Sequence, residues 1–370
     1  MFNFFQKPFG LDISDYSIEI VSLGGSLAKP KLLAMARVVL EPGIVEDGKI
    51  LNKEKLKKTL FDLISNPKFG KIKTKNCIFS LPESKVFLHI LKIPQDLKKE
   101  EKIQRIKSEV SQTFPYPLEE LYYDFIIYPA LSRKGGVNPE NEVLLVAATK
   151  NIVNDYLEVF KCFKIKPVAL ETESQGLART LIEKEEGAVL IADIGARTTN
   201  FGLFDENKLK LSISVPIAGN KFSQAISEKL KISLTEAENL KIKNGLNSET
   251  EEGRVFLILQ EELRGIIEEI KKIEDYFQEK TGKRIEKIIL AGGSAQLPYL
   301  SEYLTDNLEK KVAIGDPWAK INIDILKKKE YFREALKINP ILYATVIGLA
   351  LRGLAKDPKM AGINLIKDIK

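Results

Sequence analysis

The stretch GAVLIADIGARTTNFGLF, Gly187 to Phe204, decides how the rest of the chain is read. The apolar run Val189 to Ala192 predicts a buried strand. It ends in Asp193 and Gly195, followed by the hydroxyls of Thr198 and Thr199. A second apolar stretch, Phe201 to Phe204, predicts the return strand of a hairpin. Such a turn suits phosphate and magnesium. Glycine lets the backbone approach an oxyanion, N–H groups and threonine hydroxyls donate to phosphate oxygens, and a carboxylate can hold Mg²⁺ through water. An ordinary hairpin with common turn residues is the alternative at this point.

A similar stretch opens the chain. Leu11-Asp12-Ile13-Ser14-Asp15-Tyr16-Ser17 lines up with Ala192-Asp193-Ile194-Gly195-Ala196-Arg197-Thr198. Both carry Asp-Ile at the end of the approach and a hydroxyl five residues after the aspartate. Both then return into apolar residues. An internal repeat of this kind predicts a duplicated α/β fold of two lobes, each offering one phosphate-facing turn.

A third glycine-bearing stretch follows a third strand pattern. Ile285 to Leu290 leads into Ala291-Gly292-Gly293-Ser294-Ala295-Gln296-Leu297-Pro298, and a helix is predicted from Tyr299 to Leu308. Paired glycines between a strand and a helix N-terminus suit a nucleotide. The G-x-G-x-x-G fingerprint is absent here, and G-x-x-x-x-G-K-[ST] is absent throughout. A plain turn is the alternative. Gly219-Asn220 turns into a helix from Lys221 to Leu230, and Glu238 and Lys241 form a pair on one face of a helix from Leu234 to Asn244.

Composition narrows the function classes. The chain has 370 residues, 44% hydrophobic and 29% charged, which fits an ordinary globular protein with more than one domain. A net charge of +6 with scattered lysines does not point to nucleic acid. Cys77 and Cys162 stand apart and read as core residues, His89 sits in the strand-like run Val86 to Leu91, and the three are too few for a zinc site. The longest apolar run, Ile341 to Leu351, has 11 residues, short of the ~20 needed to span a bilayer. With no signal-peptide pattern, the expected location is the cytoplasm.

Along the first half, strands are predicted over Phe9–Ile13, Ser17–Leu23, Leu32–Leu40 and Asn76–Leu81, with a helix over Lys53–Ile64 capped by Asn52. The phenylalanines of Met1 to Phe9 read as packed or frayed. The region 83–166 reads as its own small αβ unit. It has strands over Lys85–Ile93, Leu121–Tyr128 and Val143–Thr149, a helix over Leu97–Phe114, a polar loop over Ser132–Asn141, and a helix capped by Asn151. It holds no cluster of catalytic types and suits protein contacts. Farther on, Val255 to Glu279 is predicted as a long helix. Its buried stripe is Ile258, Leu259, Leu263, Ile266, Ile267, Ile270, Ile273 and Phe277, and Gly282 ends it.

The Asp12 hairpin, Asp193-Ile194-Gly195-x-x-Thr198-Thr199 and Gly292-Gly293-Ser294, in this order, resemble the two phosphate loops and the adenosine loop of the actin, Hsp70 and sugar-kinase ATPases. Thr235-Glu-Ala-Glu-Asn-Leu-Lys241 resembles the segment bracketing adenosine in bacterial members, and Gly348-Leu-Ala-Leu-Arg352 the last crossing helix. The insert resembles that of the FtsA branch. Leu91-Lys-Ile-Pro94, Phe114-Pro-Tyr-Pro-Leu-Glu-Glu120 and Tyr123-Asp-Phe125 resemble the PilM family of type IV pilus assembly proteins.

This resemblance implies a duplicated actin-like (ribonuclease H-like) two-lobe fold. Its first lobe would be 1–82 and 167–186, with an inserted subdomain at 83–166. The second would be 187–370, with 220–284 as its helical subdomain. ATP or ADP would be held by Asp12, Ser14 and Ser17, by Asp193, Gly195, Thr198 and Thr199, by Gly219, Asn220, Glu238 and Lys241, and by Gly292, Gly293 and Ser294. Asp12 and Asp193 would hold Mg²⁺ through water. No residue is assigned a catalytic role.

One departure stands out. Family members usually have Asp-Ile-Gly and then a lysine in the first loop. This chain has Ser14, Asp15 and Glu19, and two added acids should weaken triphosphate binding by repulsion.

The resemblance further implies a cytoplasmic adaptor at the inner face of the membrane. It would bind the N-terminal peptide of a PilN-like membrane protein, with nucleotide biasing lobe closure and slow turnover at most. The tail Gly362-Ile-Asn-Leu-Ile366 resembles the Ile-Asn-Leu-Leu start of such peptides. It would either occupy the same groove in a neighbouring copy, a form of self-association, or fray. A filament-forming cell-division protein like FtsA is the alternative. A small-molecule kinase with Glu171 or Glu173 as base is another.

Overall fold

The computed structural model describes residues 7–129, 140–183 and 187–369. Contacts divide the chain into two units, Met1–Thr180 with Trp318–Ile338 and Thr345–Lys370, and Leu181–Pro317 with Asn339–Ala344. Phe2, Phe4, Phe5 and nearly all of the loop expected over Ser132–Asn141 lie outside the described residues.

In the first unit, β1 (Phe9–Ile13), β2 (Ser17–Ser26) and β3 (Lys29–Val39) form an antiparallel meander. A two-rung hairpin follows, β4 (Val45–Glu46) and β5 (Lys49–Ile50). Then come α1 (Lys53–Ser65), β6 (Phe69–Gly70) and β7 (Asn76–Leu81). Asn52 caps α1, its side chain accepting from Lys55 N at 3.0 Å. Leu56, Leu60 and Leu63, three to four residues apart, form the buried stripe.

The insert follows as β8 (Phe87–Pro94), α2 (Lys99–Thr113), β9 (Leu121–Tyr128) and β10 (Glu140–Thr149). Its strands make a separate antiparallel sheet in the order β8-β10-β9, with Ile106, Val110 and Phe114 packed on one face. The next helix, α3 (Lys150–Lys161), starts after Thr149, one residue before the expected cap at Asn151. It also packs differently from the sequence grouping. Tyr156 and Phe160 each lie 5.0 Å from Phe79 of β7, so α3 belongs to the parent sheet. β11 (Lys166–Thr172) and α4 (Glu173–Leu181) complete this part of the chain, and the sheet order is β11-β7-β1-β2-β3-β6.

The second unit holds β12 (Ala188–Ile194), β13 (Thr199–Asp205), β14 (Lys208–Val215), α5 (Gly219–Leu230), α6 (Leu234–Asn244), α7 (Arg254–Thr281), β15 (Ile285–Ala291), α8 (Leu300–Leu308) and β16 (Lys311–Ile314). Its sheet runs β14-β13-β12-β15-β16. Every residue of the expected α7 stripe is buried, packed with Phe201, Leu203, Phe222 and Leu290. Burying side chains of this size contributes about 1.5–3 kcal/mol each. The β16 strand has only four residues and was not anticipated.

The two sheets share one plan. In each, an antiparallel meander is flanked by two parallel strands: β1 with β7 and β11, and β12 with β15 and β16. The repeat read from Asp12 and Asp193 is thus a repeat of topology.

After a short helix α9 (Phe332–Ala335), α10 (Ala344–Gly353) runs into the tail. The sequence grouped everything after 187 with the second lobe, whereas Thr345–Lys370 pack in the first unit. The reason is close backbone contact. A Cβ on Gly348 would lie 1.8 Å from Gly176 O, and one on Gly10 would lie 2.2 Å from Val346 O. The tail is not frayed: Ile363 is fully buried, and Asn364, Leu365 and Ile366 are also buried.

Candidate nucleotide site

Asp193 lies near the end of β12, opposite Asn200 of β13. The turn between them closes by Gly195 N donating to Thr198 O at 3.0 Å. Two further elements meet this turn within the second unit, and a third backs the first of them. At the start of α5, Gly219 N donates to Gly195 O at 3.1 Å and Asn220 N to Ala196 O at 2.8 Å. From the turn after β15, Ser294 Oγ donates to Gly195 O at 3.2 Å. From α6, the buried Lys241 amine donates to Gly219 O (2.9 Å), Ser223 Oγ (2.8 Å) and Glu238 Oε2 (2.7 Å).

Gly292 is where glycine is required. Its φ is +80° and ψ 171°, a region closed to residues with a Cβ. A Cβ there would lie 2.4 Å from Asp193 Oδ1 and 2.4 Å from Ile194 O. The backbone of the Gly292 turn is therefore pressed against the carboxylate end of β12.

The structure thus brings Asp193, Gly195, Gly219, Asn220, Glu238, Lys241, Gly292 and Ser294 together, with Thr198 half-buried and Gly293 exposed beside them. Not all are available to a ligand. Thr199 is fully buried and its Oγ1 donates to Ile217 O at 2.5 Å, so its proton is committed to the fold. The N–H groups of Gly219 and Asn220 are spent on the hairpin, and Lys241 has three acceptors already. Glu238, half-exposed, is engaged through Oε2 by Ser223 and Lys241. Its other oxygen accepts no hydrogen bond among the described residues, which suits a sugar hydroxyl.

The first unit carries the matching hairpin. Ser14 N donates to Ser17 O at 2.9 Å, the same closing bond as in the second unit. Ser14 Oγ folds back on this turn, accepting from Tyr16 N (3.2 Å) and Ser17 N (3.0 Å). Asp12 accepts from Ser80 Oγ at 2.6 Å, and burial pushes its carboxyl up to about 6.

The two acids expected to repel phosphate are occupied. Asp15 accepts from Asp47 N (2.7 Å) and Gly48 N (2.8 Å), holding the β4–β5 hairpin. Glu19 is buried and pairs with Arg37, its cross-strand partner on β3, at 2.7 Å. Burial and the nearby Asp12 push Glu19 up to about 8 against the pull of Arg37. Arg37 Nη2 also donates to Ser17 Oγ at 3.2 Å. Both carboxylates are thus turned to partners within the first unit. Arg37, eighteen residues from Glu19, carried no local signal.

Glu171 and Glu173 do not serve as free bases. Glu171 is fully buried and held by Arg179 (2.7 and 2.9 Å) and Arg352 (2.6 Å). Burial alone would raise its carboxyl, but the two guanidinium groups outweigh this and keep it below its usual value. Glu173 is buried and accepts from Glu83 N at 3.1 Å. Cys162, read as a core residue, is exposed, while Cys77 is buried. Among the described residues no group of three or more His, Cys, Asp or Glu is placed to hold a metal directly. No helix among them is long and apolar enough to cross a membrane.

Comparison with known proteins follows this geometry. The family described as type IV pilus assembly protein PilM matches residues 10–354. The cell division protein FtsA of Buchnera aphidicola subsp. Acyrthosiphon pisum is 25% identical over 264 residues, 64% of this chain and 59% of that protein. The chain thus spans little more than half the length of that curated relative. Among solved structures, a PilM-PilN type IV pilus biogenesis complex matches with a TM-score of 0.78 at 23% identity, over 94% of this chain and 99% of that one. MreB5 of Spiroplasma citri, solved with AMPPNP and with ADP, matches with TM-scores of 0.51 and 0.53 at 14% and 12% identity. Each covers 94% of this chain and 96% of the other. The fold is therefore actin-like, and the chain belongs to the type IV pilus assembly protein PilM family.

Proposed function

We propose that the chain is a nucleotide-binding adaptor of the type IV pilus inner-membrane assembly platform, docking the N-terminal cytoplasmic peptide of a PilN-like protein. The observation that carries this reading is the family match over residues 10–354. The likeness of nearly the whole chain to a PilM solved with PilN supports it. The location implied is the cytoplasmic face of the inner membrane, reached through the partner.

The nucleotide is ATP or ADP. In the second unit Asp193, Gly195 and Thr198 face its phosphates, and Asp193 holds Mg²⁺ through water. Glu238 and the Gly292–Ser294 turn take the adenosine. The Asp12 hairpin of the first unit has the same turn, and we assign it the same chemistry, with Ser17 as donor and Arg37 as the cation. Turnover is slow at most. The β8-β10-β9 insert is assigned to protein contacts.

Calorimetry with Mg-ATP, with Asp193→Ala as control, tests the first half. Titration with a PilN-type N-terminal peptide tests the second. Binding of both, with nucleotide binding lost in Asp193→Ala, is expected. A folded protein that binds neither refutes the reading. The FtsA likeness supports a second reading, a filament-forming protein, which predicts ATP-dependent sedimentation.

A further inference from the structure

Strand register gathers three connections at one end of the first unit. β1 and β7 run parallel with Phe9 beside Cys77, and β11 runs parallel to β7 with Lys166 beside Asn76. β2 runs back along β1 and continues to Ser26, where it turns into β3 at Lys29. The β2–β3 turn, the β6–β7 connection (71–75) and the α3–β11 turn (162–165) therefore stand at the same end of the six-stranded sheet. Lys166 N donates to Lys75 O at 2.8 Å and ties two of them together. Six strands at a spacing of ~4.8 Å make this end face roughly 24 Å wide.

The end face is basic. Residues 63–82 and 159–170 contain four and three lysines, with no arginine and no acid to answer them. Lys68 pairs with Glu334 at 2.7 Å. Lys71, Lys73, Lys75, Lys161, Lys164 and Lys166 are exposed, and none forms an ion pair among the described residues. The exposed Asp62 of α1 offsets one of these charges. Apolar groups stand among the lysines. The ring of Phe61, on α1, lies 5.6 Å from that of Phe163, and Phe61 and Leu27 of the β2–β3 turn are each 52% exposed. Lysine stems reach past such groups, so charge and apolar surface can meet one partner together.

We propose that this end face is a contact surface for an anionic lipid bilayer, with the lysines over the headgroups and Phe61 and Leu27 entering the interface. Both parts of such a contact are in place. A basic cluster attracts acidic headgroups, and apolar side chains within it gain by leaving water. The chemistry favours lipid over nucleic acid. Arginine forks grip phosphate backbones, and these two segments hold no arginine. A leucine at a turn tip offers nothing to a phosphate backbone. The proposal goes beyond the function given above, because it provides a membrane contact that does not pass through the partner peptide.

The test is flotation of the full chain with vesicles of phosphatidylcholine, alone or with added phosphatidylglycerol. Binding to the phosphatidylglycerol vesicles only, weakened by salt, is expected. Each lysine near such a surface strengthens binding roughly fivefold, so K71Q/K73Q/K75Q should lose roughly 100-fold. K271Q/K272Q/K280Q alters exposed lysines of α7 in the second unit, makes the same change in net charge, and should bind as wild type does. F61S should lose at least threefold. Cys162 is exposed within the face while Cys77 is buried. A polarity-sensitive dye on Cys162 should therefore brighten on vesicles with wild type and not with K71Q/K73Q/K75Q.

A wild-type chain that ignores phosphatidylglycerol vesicles overturns the proposal. So do equal losses in the two triple variants, which would make net charge the whole effect. Vesicle binding with an unchanged Cys162 dye would place the contact elsewhere and overturn it as well. Duplex DNA bound more tightly than vesicles at equal phosphate, and lost in K71Q/K73Q/K75Q, would make the face a nucleic-acid surface instead. No partner peptide enters these measurements, so a PilN-type peptide that fails to bind removes the adaptor reading and leaves this one standing.

Discussion

Replacing Gly292 by alanine is expected to damage the second unit out of proportion to one methyl group. Two terms add. The residue sits at φ +80°, ψ 171°, where a non-glycine residue costs of order 1–3 kcal/mol. The new Cβ would also stand 2.4 Å from Asp193 Oδ1, 2.4 Å from Ile194 O and 2.6 Å from Ile194 C. The Ile194 atoms are backbone of a central strand paired on both sides, so the overlap is relieved only by moving the turn, at about 1–3 kcal/mol. The sum, roughly 2–6 kcal/mol, lowers the melting temperature of a unit of this size by roughly 5–20 °C. Gly293→Ala is the control, since its Cβ meets only Leu342 Cδ2 at 3.5 Å, an ordinary contact. Both variants are followed by circular dichroism melting and by nucleotide calorimetry at a temperature where both are folded. Gly292→Ala should melt early and bind nucleotide at least tenfold more weakly, because Asp193 is displaced. Melting within a degree or two of Gly293→Ala would refute the claim that the turn is held against the carboxylate.

Arg352→Met removes one of the two guanidinium partners of the fully buried Glu171 carboxylate and its donations to four tail carbonyls, leaving Arg179 in place. Losing a buried partner of this kind costs about 1–3 kcal/mol, and a urea midpoint little changed from wild type would show the cluster to be dispensable. The Glu171 carboxyl is held below its usual value by Arg179 and Arg352 against burial. Its stabilisation is therefore present above the unfolded value of about 4.5 and lost as pH falls through the lower folded one. Melting curves across the acid range should fall more steeply for wild type than for Glu171→Gln, and parallel curves would contradict this. Asp15→Ala should speed amide exchange at Asp47 and Gly48 and leave nucleotide affinity within about threefold, since its carboxylate is turned to those N–H groups. A gain or loss of tenfold would mean that Asp15 faces the phosphates after all.

What the sequence disclosed, and what it did not, follows from the range of the interactions. The α7 stripe and the Asn52 cap were legible because a 3.6-residue period and a side chain reaching three residues ahead are local. The Glu19–Arg37 pair depends on the β2–β3 register, and the Glu171–Arg352 pair joins residues 181 apart, so neither leaves a mark in any window of sequence. Thr198 and Thr199 look equivalent as letters. Only the pleat separates them, turning Thr199 inward to Ile217 O. The tail was misjudged for a related reason: its four buried residues have no period, because they are enclosed by two sheets and not laid on one.

Ser14 shows where comparing the repeats letter by letter misleads. Set against Gly195 it reads as a lost glycine, and glycine suggests a backbone that a Cβ would spoil. Yet neither Ser14 nor Gly195 is among the residues with positive φ. A Cβ on Gly195 would meet only Thr198 O, at 3.1 Å. That contact is tight and asks the turn to give by a few tenths of an ångström, and the first hairpin holds a serine at the corresponding place with the same closing bond. In the first unit that side chain supplies a hydroxyl that accepts two of the turn's own N–H groups, a self-capping available to serine and not to glycine. The two hairpins share their closing hydrogen bond and differ in how the turn above it is held. The first therefore depends for its charge balance on Arg37, which lies outside the hairpin altogether.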